Sequence, residues 1–378
     1  MTQAPELKSQ SPGKSADAEP EVLFSAENGI GMMTMNRARA LNALNLNMIR
    51  LMDRQLAAWA DDETIHAVVL RGAGNRAFCS GGDVKAVALA AKAQAEGAGD
   101  GALVRDFFRE EYRLNRRIHT FPKPYISLVD GIVMGGGKGV SAHGSHRVVT
   151  EHTLFAMPET NIGFFPDVGG GYFLPRCPGQ TGAWLALTST RIKAIDTIYI
   201  GFGTQYVPSE NLPGLLAALH GIAWDARETP VDQVTQAIEG FTAAPPGDSA
   251  IAPHRARIDS CFGHDDAEQI VAALQEDGSD WAQETLTAMY GMSPTSLKVA
   301  LRQIRQGAGM DFDDVMVMEY RISQAIARGH DFYEGIRAAL IDKDRQPQWE
   351  PSRLADVDAA AVEACFRPPE AGDLSFAD

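Results

Sequence analysis

Residues 125–175 read YISLVDGIVMGGGKGVSAHGSHRVVTEHTLFAMPETNIGFFPDVGGGYFLP. The stretch opens on an apolar run, Ile126 to Val129, closed by Asp130-Gly131, which predicts a short buried strand. Three adjacent glycines, Gly135 to Gly137, come next, and Lys138 to His143 can then turn into a helix. Arg147 to Thr150 reads as another strand. The chain then delivers two carboxylates, Glu159 and Asp167, from a backbone punctuated by Pro158, Gly163, Pro166 and Gly169 to Gly171. Glycines in such a setting let backbone N–H groups approach a ligand closely. This stretch concentrates donors and carboxylates more than any other part of the chain.

Upstream, the pattern repeats. Val22 to Phe24 and Ile30 to Met35, joined by Glu27-Asn28-Gly29, predict a hairpin. An amphipathic helix runs from Leu44 toward Trp59 and stops at Asp61-Asp62. Ala67 to Leu70 is a short strand, Gly72 to Asn75 a loop, and AFCSGGD (77–83) leads into a helix from Val84. Residues 87–104, rich in alanine and glycine, read as a loop or lid, and Phe107 to Ile118 as a helix ended by Phe121-Pro122-Lys123-Pro124. Past Pro175 the periodicity is helical, with a linker at AAPPGD (243–248). Strands crowd the first half and helices the second. The expected organisation is a disordered tail (1–20), an α/β core of ββα-like units (21–240) and a helical C-terminal region (250–378).

The chain has 378 residues, 45% of them hydrophobic and 22% charged, which is ordinary for a protein with a large core. A net charge of −15 argues against nucleic acid as a partner. It does not exclude an anionic ligand held by local donors. No apolar run reaches the length of a membrane span, and residues 1–20 contain no signal-peptide core. The cysteines, Cys79, Cys177, Cys261 and Cys365, lie far apart and without CxxC spacing, so reduced thiols in a cytoplasmic protein are expected and no metal site. GGGKG lacks the P-loop spacing, no GxSxG occurs, and His143 and His146 have no acidic partner at metal-ligand spacing.

Two strand–glycine–helix junctions, at Gly81-Gly82 and Gly135-Gly136-Gly137, can each aim a backbone N–H outward. Two such groups meeting at one oxygen form an oxyanion hole. Taken singly, each glycine pair reads first as a device for tight turns and close helix packing, and only the two together bring the oxyanion reading level with it. Glu159 ends an apolar segment, HTLFAMP (152–158), where desolvation would raise its pKa and make it a usable base or nucleophile. The alternative is a surface carboxylate capping the next turn. For Asp167 the alternative is an N-cap of the helix near Gly170.

Taken together, these residues resemble the crotonase (enoyl-CoA hydratase/isomerase) superfamily, and within it the 3-hydroxyisobutyryl-CoA hydrolase branch. The resemblance is carried by NRARALNAL (36–44), AFCSGGDVK (77–85), REEYRLN (109–115), KPYISLVDGIVMGGGKGVS (123–141) and FAMPETNIGFFPDVGGGYFLPR (155–176). It continues in TSTRIKAIDTIYIGFGTQYV (188–207), SPTSLKV (293–299), EYRIS (319–323) and DFYEGIRAALIDKD (331–344). It implies an α/β fold, a crotonase-like spiral of ββα units with a C-terminal helical extension. It implies thioester hydrolysis of an acyl-CoA, in valine catabolism, with no cofactor beyond the coenzyme A of the substrate.

The oxyanion donors of the family fall on the amides of Gly82 and Gly136. Coenzyme A would lie along Arg39, Ala40 and Leu41, and along Ser80, Gly81 and Asp83. Hydratases of the superfamily carry a glutamate just after the glycine run. Here that position is Gly139, which disfavours hydration or isomerisation. Their second glutamate is present as Glu159. Asp167 stands where hydratases usually have glycine, and Glu111 joins the substrate pocket. Glu159 together with Asp167 disfavours a catalytically idle acyl-CoA-binding protein. Lys138 and Gln205 depart from the pattern, and Lys138 is expected to point outward. The C-terminal helices could cover their own core or a neighbour's, which leaves a homo-oligomer open.

Overall fold

The computed structural model describes residues 19–376; the predicted tail over residues 1–18 lies outside them. The chain enters as a hairpin, β1 (Val22–Glu27) and β2 (Ile30–Met35), and then helix α1 (Leu46–Asp61), capped by the Asn45 side chain accepting from the Met48 amide. Strands then come in pairs: β3 (Ala67–Gly72) with β4 (Ala77–Cys79), β5 (Tyr125–Val129) with β6 (Ile132–Met134), and β7 (His146–Val149) with β8 (Leu154–Ala156). The first strand of each pair joins a six-stranded sheet and the second a four-stranded one. The short strands β9 (Ile192–Lys193) and β10 (Gln205–Tyr206) complete the two sheets. The six-stranded order is β1-β2-β3-β5-β7-β10, antiparallel at β1·β2 and parallel elsewhere, and the smaller sheet runs β4-β6-β8-β9. Alternation between two sheets arranges the ββα-like units that the sequence pattern predicts into the spiral that the family resemblance implies.

Parallel strands covered on both faces read as unbroken apolar runs. Val68 and Leu70 of β3 point into the main core, while Ala67 and Val69 face the other side, where Leu215, Leu219, Val234 and Ile238 from two helices, Leu212–His220 and Pro230–Glu239, cover the sheet. The main core continues without a break into the C-terminal helices, taking in Val299, Ile304, Val315, Tyr320 and Phe332. No helix among the described residues is long and apolar enough to cross a membrane.

Residues 87–104, expected to form a loop or lid, are mostly helical. Helix α2 (Val84–Ala95) takes in the alanines and α3 (Ala102–His119) begins beyond a short glycine-rich break. Alanine is the strongest helix former, so composition that looks featureless by periodicity still folds as helix. Helix α3 matters most for the site. Its apolar face, with Phe107, Phe108, Tyr112 and Ile118, is pressed into the core and carries Glu111 in with it.

Candidate active site

The two glycine junctions meet. The glycine run opens a one-turn helix, α4 (Gly136–Gly139), directly after β6. A Cβ on Gly137 would sit 2.3 Å from the Cys79 carbonyl oxygen, so only glycine lets α4 lie this close to the end of β4. That approach places Gly136 against Gly82: a Cβ on Gly136 would be 3.0 Å from the Gly82 amide nitrogen. Among the described residues neither amide donates a hydrogen bond within the protein. Two unsatisfied donors side by side at a cavity wall are what an oxyanion hole requires.

That cavity, of about 70 Å³, is lined by Gly82, Gly136, Glu111, Glu159 and Asp167, with Phe107, Phe108 and Phe164 as its apolar wall. The three carboxyl groups come from three separate elements: Glu111 from α3, Glu159 from the single turn Glu159–Ile162, and Asp167 from the loop before helix α5 (Gly170–Phe173). All are buried, at 2%, 5% and 6% exposure, which removes the surface-cap alternative for Glu159. Asp167 does not cap α5 either. Gly169 holds the cap position, and the Asp167 carboxylate instead accepts from Tyr112 Oη at 2.8 Å. Glu111 Oε1 and Glu159 Oε2 have no hydrogen-bond partner among the described residues. Buried oxygens are normally satisfied, so these two are held ready for groups that the protein itself does not supply.

Burial governs the electrostatics. Desolvation pushes the Glu159 carboxyl well above the usual range, and the neighbouring Asp167 charge adds to the rise. Glu111 is raised by desolvation, then by Asp167 and Glu159. Asp167 is pushed by burial to about 7, although the Tyr112 hydroxyl opposes the rise. In the unfolded chain this carboxyl ionises near 3.8, so its contribution to stability is complete below that pH and is lost as pH rises through about 7. Asp167→Asn keeps an acceptor for Tyr112 and removes the buried charge. It is expected to melt higher than the wild type, by more at pH 8 than at pH 5, in paired thermal scans; an equal or lower Tm at pH 8 would contradict this account.

Lys138, expected to point outward, is fully buried. The turn of α4 that exposes the Gly136 amide rotates Lys138 to the opposite side, into the core, where its Nζ donates to the Val168 carbonyl at 3.1 Å. Loss of hydration lowers its pKa to about 8, against the pull of Glu319, Asp167 and Glu159. Glu319, in the helix Phe312–Ile326, has no role predicted from sequence. It is wholly buried and accepts from the amides of Gly169 at 2.7 Å and Gly171 at 2.8 Å. The signal was present: Glu319 shares the apolar face of its helix with Val315, Met316 and Ile322, three or four residues away on either side. Tyr112, beside Glu111 in the sequence, was missed likewise.

The positions expected to hold coenzyme A form one rim. The Ser80 amide donates to the Leu41 carbonyl at 3.0 Å, tying Arg39-Ala40-Leu41 to Ser80-Gly81. Asn42, buried with φ +56°, fixes the loop by donating to the carbonyls of Ala73 and Ala77. Asp83 pairs with the Arg37 guanidinium at 3.3 Å, so its side chain is already engaged.

A family model described as enoyl-CoA hydratase/isomerase matches residues 30–366. The chain is 47% identical over 363 residues to the 3-hydroxyisobutyryl-CoA hydrolase, mitochondrial, of Gallus gallus, covering 96% of this chain and 93% of that protein. It is 43% identical to the Homo sapiens protein of the same name, over 96% and 92% of the two chains. Among solved structures, a carnitinyl-CoA dehydratase from Mycobacterium thermoresistibile superposes with a TM-score of 0.86 at 42% identity, covering 94% of this chain and 98% of that one. An enoyl-CoA hydratase from Rhodobacter sphaeroides gives 0.82 at 35% identity, over 94% and 100%. The names of the curated relatives place them in mitochondria, which overturns the cytoplasmic location expected from the cysteines. All four thiols are buried, and a buried thiol carries no record of which reducing compartment surrounds it. The chain belongs to the enoyl-CoA hydratase/isomerase (crotonase) family and, within it, to the 3-hydroxyisobutyryl-CoA hydrolase branch.

Proposed function

We propose that the chain hydrolyses short 3-hydroxyacyl-CoA thioesters, 3-hydroxyisobutyryl-CoA first among them, to the free acid and CoA, a step of valine catabolism. The observation that carries this reading is the buried Glu159 carboxylate, with Oε2 unpartnered, sharing one small cavity with the amides of Gly82 and Gly136. The thioester oxygen sits between those amides, which stabilise the negative charge it gains when the carbonyl carbon is attacked. Glu159 supplies the attack, either directly, forming an acyl-glutamyl anhydride, or by taking a proton from water. The C–S bond breaks and CoA leaves as the thiol, taking a proton from water or from a buried carboxyl group, and on the direct route water then cleaves the anhydride to the free acid and regenerates Glu159. Asp167 and Glu111 bind the acyl 3-hydroxyl and orient water. Net hydrolysis transfers no electrons, so the reading calls on no redox cofactor.

Addition or removal of water, named for the enoyl-CoA hydratase and the carnitinyl-CoA dehydratase among the solved neighbours, needs a second carboxylate after the glycine run. A Cβ at Gly139 would lie 2.6 Å from Val168 Cβ and 3.0 Å from Asn115 Nδ2, so that place is already filled. Gly139→Glu is therefore expected to gain no enoyl-CoA hydration and to lose about 2 kcal/mol or more of stability to overpacking and a buried charge. Hydratase activity in that variant, read by loss of enoyl absorbance, would contradict the steric argument. The function itself is tested by thiol release across a panel of short acyl-CoAs. Release from 3-hydroxyisobutyryl-CoA and 3-hydroxypropionyl-CoA is expected. Water addition to crotonyl-CoA without any thiol release would overturn the reading.

A further inference from the structure

We propose that Glu319 is the positioning residue that fixes Asp167 in the site, by clamping a strained left-handed turn at Val168 to which Lys138 and His143 bind from the other side. The inference rests on the hydrolase reading above and extends it to residues that do not line the cavity.

The starting point is Val168. Its φ is +52°, and it is 1% exposed. A β-branched residue in the left-handed region is a rare conformation that persists only where its surroundings impose it, and such residues gather at functional sites. It follows Asp167 directly, so its dihedral sets where the Asp167 carboxylate emerges.

The surroundings that impose it are all named groups. On the amide side, the two oxygens of Glu319 accept from Gly169, immediately beyond Val168, and from Gly171, two residues further on. Gln303 Nε2 braces that carboxylate at 2.9 Å and also donates to the Pro166 carbonyl at 2.7 Å, holding the turn one residue before Asp167. On the carbonyl side, Lys138 Nζ donates to Val168 O at 3.1 Å, and His143 Nε2 lies 2.8 Å from the same oxygen. A carbonyl only accepts, so that ring nitrogen carries the proton. Residues 166, 168, 169 and 171 are thus each held by a buried side chain, and Asp167 itself by Tyr112.

Strain at this position has a use. The Val168 side chain fills the space above Gly139, while its left-handed backbone turns Asp167 toward the cavity. Glycine at 168 would adopt the turn freely but would leave that space open. A carboxyl clamp on a valine gives both the wedge and the fixed Asp167. Burial lowers the Lys138 pKa to about 8 and raises that of Glu319 to about 8, and the attraction between the two opposes both shifts.

The test uses thiol release from 3-hydroxyisobutyryl-CoA by the full chain. Glu319→Gln keeps the shape of the side chain but turns one acceptor into a donor facing an amide. It is expected to lower kcat by about 100-fold, the cost of a catalytic group misplaced by about 1 Å, with KM within a factor of three. Glycine holds a left-handed turn without a clamp, so the same change made in a Val168→Gly background is expected to cost less than a tenth as much relative to Val168→Gly alone. A merely structural role would not be relieved by that second change. Folded Glu319→Gln with kcat within threefold of wild type, or an equal loss in both backgrounds, overturns the proposal. If Glu319→Gln does not fold, Gln303→Met, which removes the brace and the hydrogen bond to the Pro166 carbonyl but leaves Glu319 in place, decides the matter. A fall in kcat at unchanged KM, relieved by Val168→Gly, supports the clamp, and unchanged kcat overturns it. Absence of thiol release from the wild type would sink the hydrolase reading and this role with it, whereas an active wild type with an equally active Glu319→Gln sinks the clamp alone.

Discussion

Glu159→Gln is expected to slow CoA release from 3-hydroxyisobutyryl-CoA by about 10⁴-fold or more, because it removes the group that attacks or activates water and leaves nothing to replace it. The amide matches the carboxylate in size, and Glu159 Oε2 has no partner in the protein to lose. The burial penalty on the charged form, which pushes this carboxyl well above its usual range, disappears in the variant. Glu159→Gln should therefore fold at least as stably as the wild type and bind CoA with unchanged affinity. The test is single-turnover thiol release alongside direct measurement of CoA binding. A variant that turns over within tenfold of wild type would exclude Glu159 from the chemistry. One that loses CoA binding in proportion to activity would show that the side chain shapes the pocket rather than reacts in it.

The parts of this site that the sequence made legible are those with a local signature. Two glycine runs between strands and helices announced α4 and the end of β4, and the close approach of Gly137 to Cys79 is the physical reason for the first of them. Apolar runs too short for helix marked β2, β3, β5 and β7, whereas their alternation with the strands of a second sheet came only from the family resemblance. Glu159 and Asp167 could be named, but their burial could not be derived. It depends on Phe108 and Phe164, stacked with ring centroids 5.3 Å apart, which close the cavity from elements 56 residues apart in sequence.

What escaped reading depends on contacts between distant segments. Lys138 reads as a surface residue by type, since charged side chains are seldom fully buried unless paired. Its partners, Val168 and Glu319, lie 30 and 181 residues further on, and nothing near Lys138 foretells them. Local alternatives failed for the same reason. An aspartate before a glycine-started helix is a natural cap, yet Tyr112 from α3 takes the Asp167 carboxylate and Glu319 caps the helix instead. Tertiary partners outcompeted the nearest backbone donors.

Gly136→Ala separates the proposed oxyanion hole from the fold that builds it. Residue 136 does not have a positive φ, so alanine can adopt its backbone, and within a helix alanine is favoured over glycine by about 1 kcal/mol. The added Cβ would sit 2.7 Å from Glu111 Oε1, the end of a side chain that can shift, and 3.0 Å from the Gly82 amide nitrogen. It therefore crowds the place where the thioester oxygen must reach both amides, while striking no backbone atom closely enough to unfold the chain. The expected result is a protein with a Tm near that of wild type and a kcat lower by about 10²–10³-fold, the usual effect of losing an oxyanion donor. Gly137→Ala, one residue on, is the contrast. Its Cβ would lie 2.3 Å from the Cys79 carbonyl oxygen, a backbone atom between α4 and β4 that cannot move alone. That variant should fail to fold or melt far lower. If instead Gly136→Ala hydrolyses the thioester at the wild-type rate, the carbonyl oxygen does not lie between these amides, and the charge it gains must be stabilised elsewhere.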